Sequence, residues 1–256
     1  MSATPENSSG GSSKPEAVYL VPWDAADEGQ VGRMVDQRVA CGWRDTEVPE
    51  WKGLMLRGEK VFYWIVIEDT VPEKKEFEKA NEKMFPAENS PLKDTCASVF
   101  GQARSPTNQP FYPVGHVALQ AVSGFDCERL ELPLSSTAWV KNLYISWALH
   151  RGGFGRSTMR LLERLARSPP FLSTHLLLDT MHPEFQRSEA FLRAQYDDRG
   201  FVRPPGGDSA VRTNVDWYER QGWSLFGPTD EVFAPKDDEG NEIARVPCVY
   251  MKKALG

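Results

Sequence analysis

Apolar residues in this chain fall into short, dense runs that are separated by charged or glycine- and proline-rich segments. The densest run, KVFYWIVIED (residues 60–69), is almost continuously apolar and aromatic, which predicts a strand buried on both faces. Similar runs predict strands at AVYLVP (17–22), VGHVALQAVS (114–123), TAWVKNLYIS (137–146), THLLLDTM (174–181), SLFGPTDEVF (224–233) and ARVPCVYMKKA (244–254).

Helix-like periodicity lies between these runs, with capping residues at the expected places. Asp24 or Asp27 is placed to cap a helix over residues 27–43, and Thr213 to cap a short helix that Gly222 ends. Further helices are predicted at EKKEFEKANEKMF (73–85), RSTMRLLERLA (156–166) and PEFQRSEAFLRAQYDDRG (183–200).

The order of these elements predicts an α/β (α+β) fold with a central, mixed and mostly antiparallel sheet. A strand–helix crossover is predicted in the second half of the chain. We expect a tail over residues 1–16, rich in Ser, Gly and Pro, and one domain over residues 17–256. Insertions are predicted near residues 70–112 and 183–212.

Composition narrows the function classes. The 256 residues carry a formal net charge of -6, which argues against a broad nucleic-acid surface. No apolar run is long enough to span a bilayer, and no signal peptide is evident, so we expect a cytoplasmic protein without a membrane partner, as a monomer or homodimer. The four cysteines lack metal spacing, and the histidines are scattered; we therefore expect reduced thiols and no metal.

The stretch HRGGFGRSTMRLLERLA (150–166) offers the clearest candidate chemistry. Glycines follow a predicted buried strand and open a helix, so the backbone can approach a ligand closely. The free amides of the first helical turn favour an anion, and Arg151 and Arg156 add positive charge. The stretch fits neither a Walker loop nor a dinucleotide fingerprint, and a plain glycine turn explains it equally well on its own.

The segment LYISWALHRGGFG resembles the central signature of the GNAT superfamily of acetyl-CoA-dependent N-acetyltransferases, in which a strand is followed by [R/Q]-x-x-G-x-[G/A] opening a helix. Gly153 and Gly155 match the small positions, and His150 stands where the family has Arg or Gln. The later NVDWYERQGW (214–223) is similar to the family's second motif, a short helix with a tyrosine before E-x-x-G. The resemblance covers about residues 114–223.

This resemblance implies a GNAT-like single domain with helices on both faces of the sheet, and acetyl-CoA as cosubstrate. Tyr218 matches the tyrosine beside the CoA sulfur and is the expected general acid. The Ile145 amide, or a near neighbour, is expected to polarise the thioester carbonyl. The expected cofactor-binding residues are Leu143, Tyr144, Ile145, His150, Arg151, Gly152, Gly153, Phe154, Gly155, Arg156, Ser157, Asn214, Trp217 and Tyr218.

Other readings stay open for several residues. Trp217 and Tyr218 also suit simple core packing, and Asn214 suits a plain helix start. Glu68, Asp69 and His116 are the candidate general bases, although an ordinary strand-end charge or a hydrogen-bonded core histidine is favoured for each.

The function implied is transfer of an acetyl group to a primary amine of a small or amino-acid-like molecule. The alternatives are a protein or peptide N-acetyltransferase and a CoA-binding regulatory protein without turnover.

Overall fold

A seven-stranded sheet forms the centre of the molecule. The computed structural model describes residues 16–132, 136–150, 152–203, 211–234, 242 and 245–256. The strands, numbered along the chain, are β1 (Val18–Pro22), β2 (Lys60–Ile67), β3 (Pro113–Ala121), β4 (Thr137–Ile145), β5 (His175–Met181), β6 (Ser224–Phe233) and β7 (Val246–Ala254). Two small hairpins pair Leu92–Lys93 with Pro110–Phe111 and Ser98–Val99 with Gln102–Ala103.

The strand order in the sheet is β1-β2-β3-β4-β5-β7-β6. All neighbours are antiparallel except β4 and β5, which run parallel because helix α5 carries the chain across between them. The predicted class, a mixed and mostly antiparallel sheet with one strand–helix–strand crossover, is confirmed.

Helices cover both faces of the sheet. They are α1 (Glu28–Cys41), α2 (Val48–Leu56), α3 (Lys74–Met84), α4 (Gly124–Arg129), α5 (Phe154–Arg167), α6 (Pro183–Arg187), α7 (Glu189–Leu192) and α8 (Asn214–Glu219). Short 3-10 turns cover Asp45–Glu47, Pro86–Glu88 and Trp147–Leu149, and a π-helical turn covers Arg193–Asp197.

Alternating side chains of β2 and β4 show which helices share a face. Phe62 of β2 stacks on Trp51 of α2 with ring centroids 4.8 Å apart, and Trp64 donates a hydrogen bond to Gln30 of α1. On the other face, Ile145 of β4 lies beside Gly155 in the first turn of α5. Helices α1 and α2 therefore lie on one face and α5 on the opposite one.

Several local predictions are corrected. Helix α1 begins after Asp27, whose side chain accepts from the Gln30 amide, so Asp24 is not the cap. Helix α2 was not predicted. The predicted helix over residues 183–200 breaks at Ser188, whose hydroxyl accepts from the Phe191 amide and so starts a second short helix.

The predicted tail and insertions have different outcomes. Residues 1–15 lie outside the described residues, whereas Glu16 accepts hydrogen bonds from Arg160 and Arg164 of α5. These bonds lower the pKa of Glu16 to about 2 against the opposing effect of burial. The segment over residues 70–112 holds α3 and the two hairpins, and residues 183–203 hold α6, α7 and the π-helical turn.

Candidate functional site

A gap opens in the sheet where β4 and β5 part. The two strands pair only from Thr137 with His175 to Trp139 with Leu177. Beyond these residues β4 runs on to Ile145 and β5 to Met181 without pairing to each other. Unpaired backbone groups inside a sheet need another partner, so the gap is a place where an extended ligand can add hydrogen bonds as a strand would.

A bulge in β4 marks the start of this gap. The β3–β4 register shifts between His116, which lies opposite Tyr144, and Ala118, which lies opposite Lys141. Asn142 is the extra residue of the bulge and has a left-handed backbone (φ 55°). Its side-chain oxygen accepts a hydrogen bond from Lys60 Nζ at 2.9 Å. A bulge of this kind re-aims the residues that follow it.

The peptide N–H of Ile145 points into the gap. The Ser146 amide donates to the Val114 carbonyl at 2.9 Å, which makes Gly115 and Ile145 a non-hydrogen-bonded pair of the antiparallel ladder. The backbone groups of Ile145 therefore face away from β3, toward β5. Alternation along the strand gives Leu143 the same direction.

Tyr144 faces elsewhere, so its predicted cofactor contact is not supported by its placement. A Cβ on Gly115 would lie 2.1 Å from the Tyr144 carbonyl oxygen, which shows that this peptide faces β3. The buried Tyr144 ring lies against His116 on the face covered by α1, with ring centroids 5.4 Å apart.

The glycine loop, which comprises His150 and residues 152–155 in the described part of the chain, closes the far end of the gap. His150 hydrogen-bonds the Ile145 carbonyl through Nε2 at 3.2 Å, so this side chain folds back on the strand that precedes the loop. Gly152 packs against the Phe154 ring, and Gly153 is the N-cap of α5 with φ 79°, a conformation that favours glycine. Arg151 lies outside the described residues.

The first turn of α5 presents backbone amides without a side-chain cap. Phe154 is buried and meets Phe77 edge-on at 5.0 Å, which anchors the turn on α3. A Cβ on Gly155 would lie 3.1 Å from the Trp217 ring and 3.8 Å from Ile145. Helices α5 and α8 and the end of β4 therefore meet at this glycine.

Arg156 and Ser157, the two polar side chains predicted to bind the cofactor in this turn, differ in their exposure to solvent. Arg156 is exposed beside the open amides, as a phosphate contact requires. Ser157 is buried, donates to Glu16 at 2.7 Å and accepts from the Ala17 amide at 2.9 Å. Its own amide bonds the Gly153 carbonyl, so its donors are in use within the protein and it leaves the proposed set.

Helix α8 supplies the predicted second motif. Thr213 and Asp216 form a capping box that starts the helix, as the sequence predicted for Thr213. Asn214 donates from its side chain to Thr180 of β5 at 3.1 Å, and its amide bonds Gln186. Asn214 is thus tied to the edge of the gap rather than left open to it.

Tyr218 is buried in this helix, between Trp217 and Trp223. Burial, with the Asp179 carboxylate as a second cause, raises the pKa of Tyr218 well above its ordinary value. The phenol therefore stays protonated at neutral pH. Trp217, its neighbour, lies over Gly155 at the mouth of the gap.

An ion pair that sequence reasoning missed crosses the gap at its start. Lys141 of β4 forms a short hydrogen bond with Asp179 of β5, and this partner lowers the pKa of Asp179 although burial opposes it. The signal in the sequence was a carboxylate inside the otherwise apolar run THLLLDTM. Lys60 is likewise a charged residue in an apolar run, KVFYWIVI, and it was not predicted to be a site residue.

The three candidate bases are not gathered at the gap. His116 is fully buried and hydrogen-bonded to Gln37 and Arg38, and burial followed by Arg38 lowers its pKa well below the ordinary value. Asp69 bonds Lys74 at the surface, and Glu68 follows the end of β2, where its amide bonds Ala17. The interpretation of His116 as a hydrogen-bonded core histidine fits this geometry.

The described ranges contain neither a metal-binding cluster nor a membrane-spanning helix. No cluster of three or more His, Cys, Asp or Glu side chains in those ranges has the arrangement to hold a metal ion. No helix there combines the length and apolar character needed to cross a bilayer. The four cysteines are free thiols.

Comparison with known proteins finds similarity in solved structures. No protein-family model matches the chain, and no curated protein does. An aminoglycoside 6'-N-acetyltransferase from Enterococcus faecium is 11% identical over 93% of this chain and 97% of that chain, with a TM-score of 0.46. An aminoglycoside 6'-N-acetyltransferase complexed with coenzyme A has the same identity and coverage, with a TM-score of 0.45.

An acetyltransferase of the GNAT family from Staphylococcus aureus Mu50 is 8% identical over 94% of this chain and 100% of that chain, with a TM-score of 0.43. At such low identity these matches assign no activity to the chain.

Proposed function

We propose that this chain is an acetyl-CoA-dependent N-acetyltransferase that acts on a primary amine of a small molecule. One observation carries the proposal: the gap between β4 and β5 runs from a bulge to the glycine-capped start of a helix, with the Ile145 N–H facing into it. The gap offers backbone partners for an extended arm, and the helix start offers amides for a phosphate.

The donor would be held mainly by the backbone. The open amides of residues 154–156 and the Arg156 side chain suit a pyrophosphate, because both the helix dipole and the guanidinium favour an anion. Leu143 and Ile145 would pair with the pantetheine amides along the gap. Trp217, which lies over Gly155, would have to pack against the arm or turn away from it.

Transfer requires one group to stabilise charge and another to supply a proton. The Ile145 N–H is the proposed donor to the carbonyl oxygen that gains charge as the amine attacks the thioester. Tyr218 is the proposed proton donor to the departing thiolate. The attacking amine loses its proton to water, and a proton from water returns to the Tyr218 phenol, so the cycle closes. The Asp179 carboxylate is a charge that acts on this phenol. Its ion pair with Lys141 lowers the pKa of Asp179, so this carboxylate is a weak base.

Replacement of Tyr218 by Phe tests the proposal. We expect the variant to lose on the order of 100-fold in turnover, because a general acid contributes that much or more, with CoA affinity nearly unchanged. The assay would follow thiol release from acetyl-CoA across a panel of amines, with calorimetry for CoA binding.

Tyr63→Phe is the matched control, since Tyr63 is also a buried tyrosine but lies on β2. Full turnover in the Tyr218 variant would remove this residue from the mechanism, and absence of micromolar CoA binding in the native chain would end the proposal. Binding of CoA without transfer to amines or peptides would favour the regulatory alternative. Transfer to peptides alone would favour a protein acetyltransferase.

A further inference from the structure

A cavity of about 270 Å³ lies on the face of the sheet that carries α1 and α2, between α2 and α4. Its floor is formed by side chains of β2, β3, β4 and β7, all of which point to this face. The lining residues that bear on its chemistry are Trp51, Lys60, Gln120, Trp139, Lys141 and Tyr250.

Lys60 is the unusual member of this lining. Lys60 is only 5% exposed, and its Nζ donates a hydrogen bond to the Asn142 side-chain oxygen at 2.9 Å. Nζ also lies 5.0 Å from the Trp51 ring centroid and 4.7 Å from that of Phe62. Within the described part of the chain, no carboxylate lies within ion-pair distance of it.

The other cations of the lining have acidic partners. These pairs are Arg44 with Glu47 at 3.2 Å, Arg129 with Asp126 at 3.3 Å, and Lys141 with Asp179. Burial of a cation without an anionic partner is costly, so the cavity is prepared for an anion at Lys60.

The charges around Lys60 leave its protonation adjustable. Burial, followed by the like charges of Lys141 and Arg44, lowers the pKa of Lys60 to about 7, while Glu47 and Glu50 act in the opposite direction. An anion that binds beside Nζ would raise this pKa again. Binding above neutral pH would therefore take up a proton.

Aromatic rings lie among the cations of this lining. Trp51 belongs to α2, Trp139 to β4 and Tyr250 to β7, and the centroids of the Trp139 and Tyr250 rings lie 5.7 Å apart. Lys141 Nζ lies 3.8 Å from the Trp139 ring centroid. A lining in which rings and cations alternate suits a ligand with an acidic group and an apolar or aromatic body.

The cavity also borders the gap in the sheet. Lys141 lines the cavity and bonds Asp179 across the gap, and Asp179 is the charge that acts on Tyr218. Asn142, which holds Lys60, lies next to Leu143 at the start of the gap. A molecule seated in the cavity can therefore direct another group toward the proposed reaction centre.

We propose that this cavity binds the acceptor through a carboxylate placed at Lys60, and that the acceptor is a small amino acid with an apolar or aromatic body. The inference rests on the proposed function, because it identifies the cavity as the acceptor side of that site. Lys60 is then the specificity-determining residue, and Trp51 and Trp139 contact the apolar body.

Direct binding tests the inference without requiring acetyl transfer. The full chain would be titrated by calorimetry at pH 8 with phenylalanine and leucine, with their carboxamides, and with phenethylamine and isoamylamine, which lack the carboxylate. We expect the amino acids to bind at least tenfold more tightly than the amides and amines. Repeating the titration in buffers of different ionisation enthalpy should show proton uptake with the amino acids.

Lys60→Met should remove both effects. The amino acids should weaken about tenfold while the amides stay within twofold, and proton uptake should vanish. Lys60→Arg should restore part of the preference for the acid. Lys52→Met is the control, since Lys52 lies on α2 but bonds Glu28 at the surface. Circular dichroism melting of each variant would show that it is folded.

The outcomes separate the two proposals. Equal binding of acids and amides, an unchanged preference in Lys60→Met, or no binding of the amino acids at millimolar concentration would overturn the cavity assignment. Carboxylate-dependent binding without acetyl transfer would leave the assignment standing and remove the acetyltransferase proposal. Acetyl transfer that ignores the carboxylate would do the reverse.

Discussion

The two sides of the gap are built from different materials. On the α5 side, backbone amides and glycines form the surface, and Gly153 and Gly155 keep side chains out of the way. On the α2 side, side chains form the surface, and Lys60 and Trp51 define the cavity. The α5 side therefore depends on glycines that carry no side chain, and the α2 side depends on particular side chains.

This difference separates the ways in which each side can fail. The backbone groups of such a site do not titrate, but an added side chain can block access to them. A side-chain site depends on the protonation and charge of its members, and it tolerates changes that preserve their size. A bulky residue in the glycine loop and a neutral one at Lys60 should therefore damage different steps by different means.

Gly155→Leu should have the largest effect. Its Cβ would lie 3.1 Å from the Trp217 ring, so this ring, or the helices that carry the two residues, must shift to admit a leucine side chain. Overpacking of this kind costs about 1–3 kcal/mol. Expressed as lost binding, that cost corresponds to a rise of roughly 5- to 150-fold in the Kd for CoA. Isothermal titration with CoA and urea unfolding would measure the two effects separately.

Gly32→Leu is the matched control for this substitution. Gly32 lies within α1, and a Cβ there meets nothing within 4 Å. We expect it to leave CoA binding unchanged and to stabilise the helix slightly, because leucine is the better helix former. Similar CoA affinity in both leucine variants would show that the α5 turn does not hold the cofactor.

Lys60→Met should have the next largest effect, on the pH dependence of stability. Burial lowers the pKa of Lys60 from an ordinary value of 10.5 to about 7 in the folded chain. Between these two values the unfolded chain binds a proton that the folded chain does not, so the native stability should rise with pH. The methionine variant lacks this term. Its gain over the native chain should be largest below pH 7 and shrink toward pH 10.

Urea unfolding at pH 6, 8 and 9.5 would follow this change in the free energy of unfolding. Loss of the bond to Asn142 adds an offset that depends little on pH, so the slope is the informative quantity. Lys52→Met is the surface control, since Lys52 bonds Glu28 outside the cavity. A difference between Lys60→Met and the native chain that is constant with pH would show that the Lys60 amine stays charged in the folded chain.

The contrast between the two sides also explains what the sequence could predict. The strand runs and the crossover follow from apolar periodicity, and the loop from glycines that open a helix, so both were predicted. Helix α2 was missed although its first turn holds Pro49, because only three of its residues, Val48, Trp51 and Met55, are buried and its stripe is short. The break at Ser188 required capping geometry that a continuous helical pattern conceals.

The cavity side was beyond sequence reasoning for a different reason. Lys60, Trp139 and Tyr250 lie on three strands, and their meeting depends on register and on the bulge at Asn142. Local patterns carry no information on such long-range contacts. The direction of the Ile145 amide likewise follows from its pairing with Gly115, which only the structure gives.

His150→Ala should have the smallest effect, and it addresses a side chain that reaches from the glycine loop back to the strand edge of the gap. His150 bonds the Ile145 carbonyl at 3.2 Å, on the strand edge that the pantetheine arm would use. Its removal frees an acceptor for the arm, while loss of this hydrogen bond costs about 0.5–1.5 kcal/mol. The substitution also removes the ring contact with Trp147, whose centroid lies 4.5 Å away. We expect CoA affinity to rise by up to about fivefold, which corresponds to about 1 kcal/mol. His175→Ala, at the start of β5, should leave affinity unchanged; a tenfold loss in His150→Ala would instead mean that this histidine holds the loop in its binding conformation.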